Sequence, residues 1–531
     1  MAEGLAQHSW GLAWNPLGRL WWLLALAAWL TVAVYTAPIF ISLAYSWPPR
    51  WEPPFKLSWV LGWTLLQAAL SASLAILAGW PLGVLAGFYR SRSARAAVVA
   101  SLAPFMSPVV VVALGLRSLY GPGGLLGGSL PQLHFMAQGW TGVLALHSYF
   151  NIGLAAALTA AAAASVEKSV VEQSLLLGLH GPRLWLRLLI PATARAAIYA
   201  WAVAFLYSFA SAGPLLVEGA AYRYYTLEAW LYTLYYGFPS LRGLAALLAV
   251  AELGLAALLS ATVLRLARGL AALPLAARGA GLIEPRGAGK VFAVAYPVAV
   301  IAYLYAPMAA LALEASRANS ALLAELAGRG PGLAGAIGNS LLYATATIFI
   351  SLALGVAASA SRALAVGTLS LIAVAPVAYG VAATIAYFKP LAAHMGVDAA
   401  SRVLIVVAHT AAALPLAGRS LATAWERMPR EVVETMLLMG LRGLAFLRHW
   451  LAAALPAAMM AAGLAAAASL GEFGASIVVS VPSTWSLTVL VYKLYGAGRY
   501  LPEASAVALM LEVLSLTAIA ASYTASRRLT R

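Results

Sequence analysis

Long apolar runs, separated by short charged or Pro/Gly-rich segments, recur along the 531 residues. Runs of this length cross ~30 Å of hydrocarbon as helices. Placed between such breaks, they predict helices near 20–45, 60–88, 97–116, 140–164, 193–216 and 244–264. A second set is predicted near 291–313, 336–360, 364–388, 401–424, 455–480 and 504–525. Ala/Leu runs such as Ala155–Ala164 do not alternate in polarity, as barrel strands would. The first run, Leu20 to Tyr45, is too long for a signal-peptide core and lacks a small-residue cleavage site behind it, so a retained helix is expected. The expected fold is an all-α polytopic membrane protein of about twelve transmembrane helices.

Two polar-faced islands interrupt this pattern, and they match each other. Residues 170–191 read VVEQSLLLGLHGPRLWLRLLIP, and residues 432–456 read VVETMLLMGLRGLAFLRHWLAAALP. Aligned without a gap, both place Val-Val-Glu, Leu-Leu, Gly-Leu and Gly at the same offsets. Lys168 and Arg430 each stand four residues before the shared Glu172 and Glu434, the spacing of a helical ion pair. Gly178, Gly181, Gly440 and Gly443 supply positive-φ residues that end a helix tightly, with His180 and Arg442 between them. Leu179 and Leu441 are expected to project apolar surface suited to a partner's groove. The bland alternative is a solvated loop with ordinary helix-ending glycines, and two matched copies count against it.

The duplication extends to whole halves. Thr64-Leu65-Leu66 with Gly79 matches Ser340-Leu341-Leu342 with Gly355, SFASAG (208–213) matches SLGEFG (469–474), and TLEAWLYTLYYG (226–237) resembles SLTVLVYKLYG (486–496). Two copies running the same way, with an even number of spans each, make parallel repeats about an axis normal to the membrane. The expected division is a first domain at 1–270 with its loop at 166–191, a basic linker at 271–290, and a second domain at 291–531 with its loop at 428–456.

Composition sharpens the picture in three ways. At 63% hydrophobic and 9% charged, the chain has little room for a soluble domain. With no cysteine, disulfides, thiolate metal sites and cysteine nucleophiles are excluded. The net charge of +16 sits in scattered loops rather than on one face, which argues against nucleic acid. With the N-terminus inside, basic residues favour the cytoplasmic loops by roughly two to one, placing both islands and both termini in the cytoplasm.

Each island resembles the EAA loop of binding-protein-dependent ABC-transporter permeases: Glu-Ala-Ala, three residues, Gly, nine residues, Ile-x-Leu-Pro. Glu172 and Gly178, and Glu434 and Gly440, keep its first spacing, and Leu188, Ile190 and Pro191 approximate its tail. The alanines are replaced by Gln173-Ser174 and Thr435-Met436, and Ala453 stands where Pro191 aligns, with Pro456 three residues later. As two fused permease domains, the chain is similar to ferric-iron and thiamine permeases, whose second-half signature SLGEFGAS (469–476) resembles. The resemblance implies coupling loops that dock two ATPase subunits, an extracytoplasmic solute-binding protein, and a pore between the halves with no bound cofactor. It implies ferric iron first and thiamine next as cargo. The ATPase itself is expected on another chain, because GLIEPRGAGK (281–290) lacks the first Gly of a phosphate loop and a Ser/Thr after Lys290. No His-Glu-x-x-His or Gly-x-Ser-x-Gly pattern points to catalysis. The rival class is an ion-gradient-driven secondary transporter, also commonly built from parallel halves.

Ionisable groups in or near spans are costly and often functional. Glu472, Phe473 and Gly474 stand at a Gly break where backbone can line a pore, and are candidates for the translocation path. Glu252 and Glu512 are read as paired, as snorkelling at a span end or as standing past a span boundary, with a translocation role the alternative, and His409 as a packed, hydrogen-bonded histidine. His394 and Asp398 have the spacing of an external i,i+4 pair rather than a metal site. Trp47, Trp51, Trp59 and Trp63 fit an interfacial belt in contact with lipid. Tyr222, Tyr224, Tyr225, Tyr232, Tyr235 and Tyr236 fit either that belt or a docking surface.

Overall fold

A computed structural model describes residues 19–52, 56–211, 213–216, 225–266, 281–327, 330–360, 364, 367–368, 371, 374–496 and 500–529. In the first half the principal helices are α1 (Arg19–Tyr45), α2 (Leu57–Phe88), α3 (Arg92–Ala100), α4 (Val109–Tyr120), α5 (Gly139–Ala164), α6 (Lys168–Leu176), α7 (Ile190–Phe209), α8 (Leu227–Gly237) and α9 (Arg242–Leu266). In the second they are α10 (Ala288–Ala315), α11 (Gly332–Ala360), α12 (Pro376–Ala383), α13 (Val397–Arg427), α14 (Arg430–Leu438), α15 (Leu444–Gly471), α16 (Gly474–Val479), α17 (Leu487–Gly496) and α18 (Leu501–Leu529). Among the described residues, 10 helices are long and apolar enough to cross a membrane. The third expected span is a pair bent by 110°, 92–105 and 109–120. Pro108 sits at that bend, where its missing N–H would otherwise break a helical ladder. Much of the ninth expected span lies outside the described residues, and its described part is α12 followed by a π-turn at Thr384–Phe388. The fifth and eleventh spans begin earlier than their expected starts at 193 and 455, at Gly181 and Leu444, because Arg183, Arg187 and Arg448 lie within helix rather than in a loop before it.

The two halves repeat in atomic detail. Thr64 Oγ1 accepts the Leu227 N–H at 2.9 Å, and Ser340 Oγ accepts the Leu487 N–H at 2.8 Å, so α8 and α17 are each pinned to the second helix of their half. His147 of α5 and His409 of α13 share the offset that relates the two islands. Both are buried polar links: His147 Nδ1 meets Gln67 Oε1 at 2.9 Å, and His409 meets Ser469 Oγ at 2.7 Å and Ser476 Oγ at 2.9 Å. The hydrogen-bonded reading of His409 holds.

Helix α2 lies against α5 through Gly79, Gly83 and Gly87, four residues apart. A Cβ at any of them would run into the backbone around Ile152, Ala156 and Ala160. Small residues at this spacing let helices approach closely in a bilayer, where dispersion replaces the hydrophobic drive.

The first helix of each half packs on the other half. Helix α1 lies against α11 and α12, with Tyr35 stacked on Tyr379 at 4.2 Å between ring centroids. Helix α10 lies against α3 and α4, and its tyrosines reach neighbouring carbonyls. Tyr296 donates to Ala78 O at 2.7 Å, Tyr303 to Ala145 O at 3.2 Å and Tyr305 to Ala100 O at 2.9 Å. Their rings bury apolar area while the hydroxyl satisfies a carbonyl that water cannot reach.

Candidate functional site

Each island folds as a short helix, a reversal and a return into the bundle. In the first, α6 ends when Gly178 enters the left-handed region at φ 78°; in the second, α14 ends at Gly440 with φ 76°. The Leu179 N–H bonds Ser174 O at 3.1 Å and the Gly178 N–H bonds Leu175 O at 3.0 Å. The second copy repeats both bonds, Leu441 N–H to Met436 O and Gly440 N–H to Leu437 O, each 3.0 Å. These paired bonds are the Schellman closure, which satisfies carbonyls that a helix end leaves open. Space does not select glycine, since a Cβ at Gly178 or Gly440 would meet nothing within 4 Å; backbone conformation does. Gly181 and Gly443 also have positive φ, 54° and 59°, and they start the returning helices.

The closure corrects one expectation. Leu179 and Leu441 do not project; both are half-buried, because a Schellman turn folds the residue after the glycine back toward the helix. Leu179 joins a cluster with Val84, Phe88, Val171 and Leu184. The exposed apolar tips are one turn earlier: Leu176 is 87% exposed and Leu177 83%, and at the matching positions Leu438 is 89% and Met439 72%. The leucine repeat before each glycine was the signal for them.

The helices are anchored from below by Val171 and Val433, both buried. Val433 sits over a tryptophan stack, Trp425 on Trp450 at 4.6 Å, and Val171 over Phe88. Lys168 Nζ lies 3.2 Å from Glu172 Oε1, an exposed i,i+4 pair of the kind that contributes a few tenths of a kcal/mol. Glu434 is half-buried, His180 and Arg442 are exposed, and the side chain of Arg430 lies outside the described residues. The exits differ. The first passes through a π-turn at Trp185–Leu189 before Pro191, whereas α15 continues unbroken past Pro456. The first loop is also braced by the chain between the halves: the Ile283 N–H bonds Phe88 O at 3.0 Å, the Arg90 N–H bonds Ile283 O at 2.9 Å, and Arg90 pairs with Glu284 at 2.9 Å. The 271–280 part of that expected linker lies outside the described residues.

At the opposite end of α15, Glu472 is buried and satisfied. Its oxygens accept the Ala475 N–H at 2.8 Å, the Ser476 N–H at 3.1 Å and the Ser476 hydroxyl at 2.6 Å, with His409 Nε2 3.3 Å away. It therefore caps α16, holding the anionic group where helix N–H donors converge. Phe473 is buried against Tyr492, and Gly474 lets Pro376 approach so closely that a Cβ would stand 2.8 Å from it. These three residues form a packed joint in this structure. Asp398 accepts from Ser483 at 2.8 Å, and Gly396 at φ 85° breaks the helix between it and His394, so those two are not a helical pair. Tyr236 donates to Val478 O at 2.8 Å, tying α8 to the second half, and Tyr222 and Tyr224 lie outside the described residues.

Over 472 residues the chain is 26% identical to the thiamine transport system permease protein ThiP of Brucella abortus (strain 2308), covering 85% of each. The same holds for ThiP of Brucella melitensis biotype 1 (strain ATCC 23456 / CCUG 17765 / NCTC 10094 / 16M), and ThiP of Brucella suis biovar 1 (strain 1330) matches at 26% over 431 residues, 78% of this chain and 77% of that one. The chain resembles a fused ABC-importer permease of the thiamine and iron type. The match spans both halves, so the permease likeness belongs to the duplicated whole and not to one loop. No family model matches, and no solved structure does.

Proposed function

We propose that this chain is the membrane-spanning permease of an ATP-driven importer, with both permease domains, 1–270 and 291–531, in one polypeptide. The observation that carries this reading is the pair of matched loops, each presenting two bare apolar side chains on a glycine-locked helix. Bare leucines at a tip suit an apolar groove on a partner. Two such tips fit two ATPase subunits on the cytoplasmic side, and the excess of basic residues in the loops on that side supports this orientation. Closure of the ATPase pair would then shift the permease between inward- and outward-facing states through its differential affinity for them. The names of the relatives favour thiamine over ferric iron as cargo. A solute-binding protein outside would deliver it.

The test is purification in mild detergent from the native membrane, followed by uptake of labelled thiamine into liposomes. A Walker-type ATPase at two copies per chain is expected, lost when Leu176, Leu177, Leu438 and Met439 are replaced together by Glu. Uptake that survives those replacements but collapses with an uncoupler would favour an ion-driven transporter instead.

A further inference from the structure

The acids at the seam between the halves are enclosed. Glu228 of α8 accepts the Val377 N–H of α12 at 2.7 Å, and Glu512 of α18 accepts from Ser107 at 2.7 Å, so both bonds cross between the halves. Glu252 of α9, at the position matching Glu512, is fully buried with no hydrogen bond among the described residues, so it does not snorkel. Two tyrosines of the seam, by contrast, stay half open: Tyr232 of α8 and Tyr492 of α17.

These two tyrosines are each the seventh residue of the repeated words TLEAWLYTLYYG and SLTVLVYKLYG. Their helices are placed alike, by the Thr64 and Ser340 hydroxyls on the Leu227 and Leu487 N–H groups. The two side chains also lie within electrostatic range of each other. Residues related by a two-fold axis come that close only where they flank it, and in parallel repeats the substrate path runs at the interface of the halves. Rings of an interfacial belt would point away from that axis, into lipid. The tyrosines next to Tyr232 are spent on structure: Arg242 lies over the Tyr235 ring at 4.8 Å, and Tyr236 donates to Val478 O at 2.8 Å. Lys493, next to Tyr492, lies over the Trp485 ring at 5.8 Å. Among the described residues, neither the Tyr232 nor the Tyr492 hydroxyl is hydrogen-bonded within the protein. Each ring is braced by one other, Tyr232 by Tyr236 at 4.8 Å and Tyr492 by Phe473 at 5.1 Å between centroids. Braced rings from opposite halves, on either side of an axis, suit a flat aromatic group far better than a compact hydrated ion.

We propose that Tyr232 and Tyr492 form a ring-recognising step of the translocation path, where a planar aromatic ring of the cargo stacks as it passes between the halves. Phe473 and Tyr236 hold the two rings in place behind it. This rests on the import function proposed above and names the part of the cargo that is read. Thiamine carries flat rings and meets the requirement; ferric ion does not.

The test uses the chain with its ATPase in liposomes, measuring ATP-driven thiamine uptake and, by equilibrium dialysis, thiamine binding. Wild type is compared with Tyr232→Phe, Tyr492→Phe, Tyr232→Leu and Tyr492→Leu. The Phe variants keep the ring and lose no hydroxyl bond, so they should stay within about twofold of wild type. Each Leu variant should lose roughly tenfold in both readings, with ATPase co-purification intact. Leu variants at wild-type levels would overturn the proposal while import stands. Thiamine binding that falls in the Leu variants, in a wild type without ATP-driven uptake, would keep the site and remove the import reading. Ferric ion uptake by a wild type that does not bind thiamine would overturn the proposal. Should the Leu variants fail to assemble, the lack of native cysteine gives a second measure. Tyr232→Cys combined with Tyr492→Cys should be bridged by a short bismaleimide, and thiamine should slow the bridging. No bridging, or bridging that thiamine leaves unchanged, would overturn it.

Discussion

At the scale of single residues, glycine performs two different tasks here. Gly178 and Gly440 are chosen for backbone conformation, with open space around them, so Gly178→Ala and Gly440→Ala should each cost roughly 1 kcal/mol from left-handed strain alone. The expected result is a small drop in detergent melting temperature with the loop still formed, and the double variant should show the sum. Gly83 is chosen for space, because Thr159 and Ala156 leave no room for a side chain. Gly83→Leu should separate α2 from α5 and cost at least about 1–3 kcal/mol, seen as poor recovery of folded protein. Histidines divide in the same way. His409→Ala removes the partner of the Ser469 hydroxyl while Ser476 and Glu472 keep each other, and should lower the melting temperature by an amount matching about 1–3 kcal/mol for that one orphaned group. His394→Ala, outside any such network among the described residues, should change stability by less than about 0.5 kcal/mol.

At the scale of elements, the two matched helices α6 and α14 were legible because their chemistry is local. A Glu–Lys spacing, a Leu pair and a Gly four residues apart or closer specify a helix and its stop without help from the rest of the chain. What was not legible was which leucine faces out, since the Schellman turn reverses the side chain after the glycine and only the fold says what lies beneath. Span starts were misplaced for a related reason: Arg183, Arg187 and Arg448 read as loop, yet long basic side chains at a helix end can stay in a polar layer. The bent pair at Pro108 was read as one straight span because composition carries no angle. Replacing only Leu438 and Met439 by Glu should halve the ATPase recovered if the two tips dock independently, which quantitative co-purification would show. Complete loss would mean that the partner subunits dock as a unit.

At the scale of the molecule, the duplication was legible in matched words, whereas the crossing of first helices was not, because α1 and its contacts on α11 and α12 are far apart in sequence. Glu252 and Glu512 illustrate the same limit: they occupy matching positions, and only the assembled seam separates a bonded acid from a bare one. One chain with two ATPase subunits is the expected assembly, and a native mass with two copies of this chain would contradict it.

The crossed first helices also constrain how the protein is made. Helix α1 leaves the ribosome well before α11 and α12, with which the surfaces that bury Tyr35 and its neighbours are translated. At about 5–20 residues per second, α1 waits in lipid on the order of tens of seconds before its seat exists. The first half thus cannot mature by itself during synthesis. A nascent chain stalled after residue 290 should leave α1 open to proteolysis and crosslinking, and release through the second half should close it.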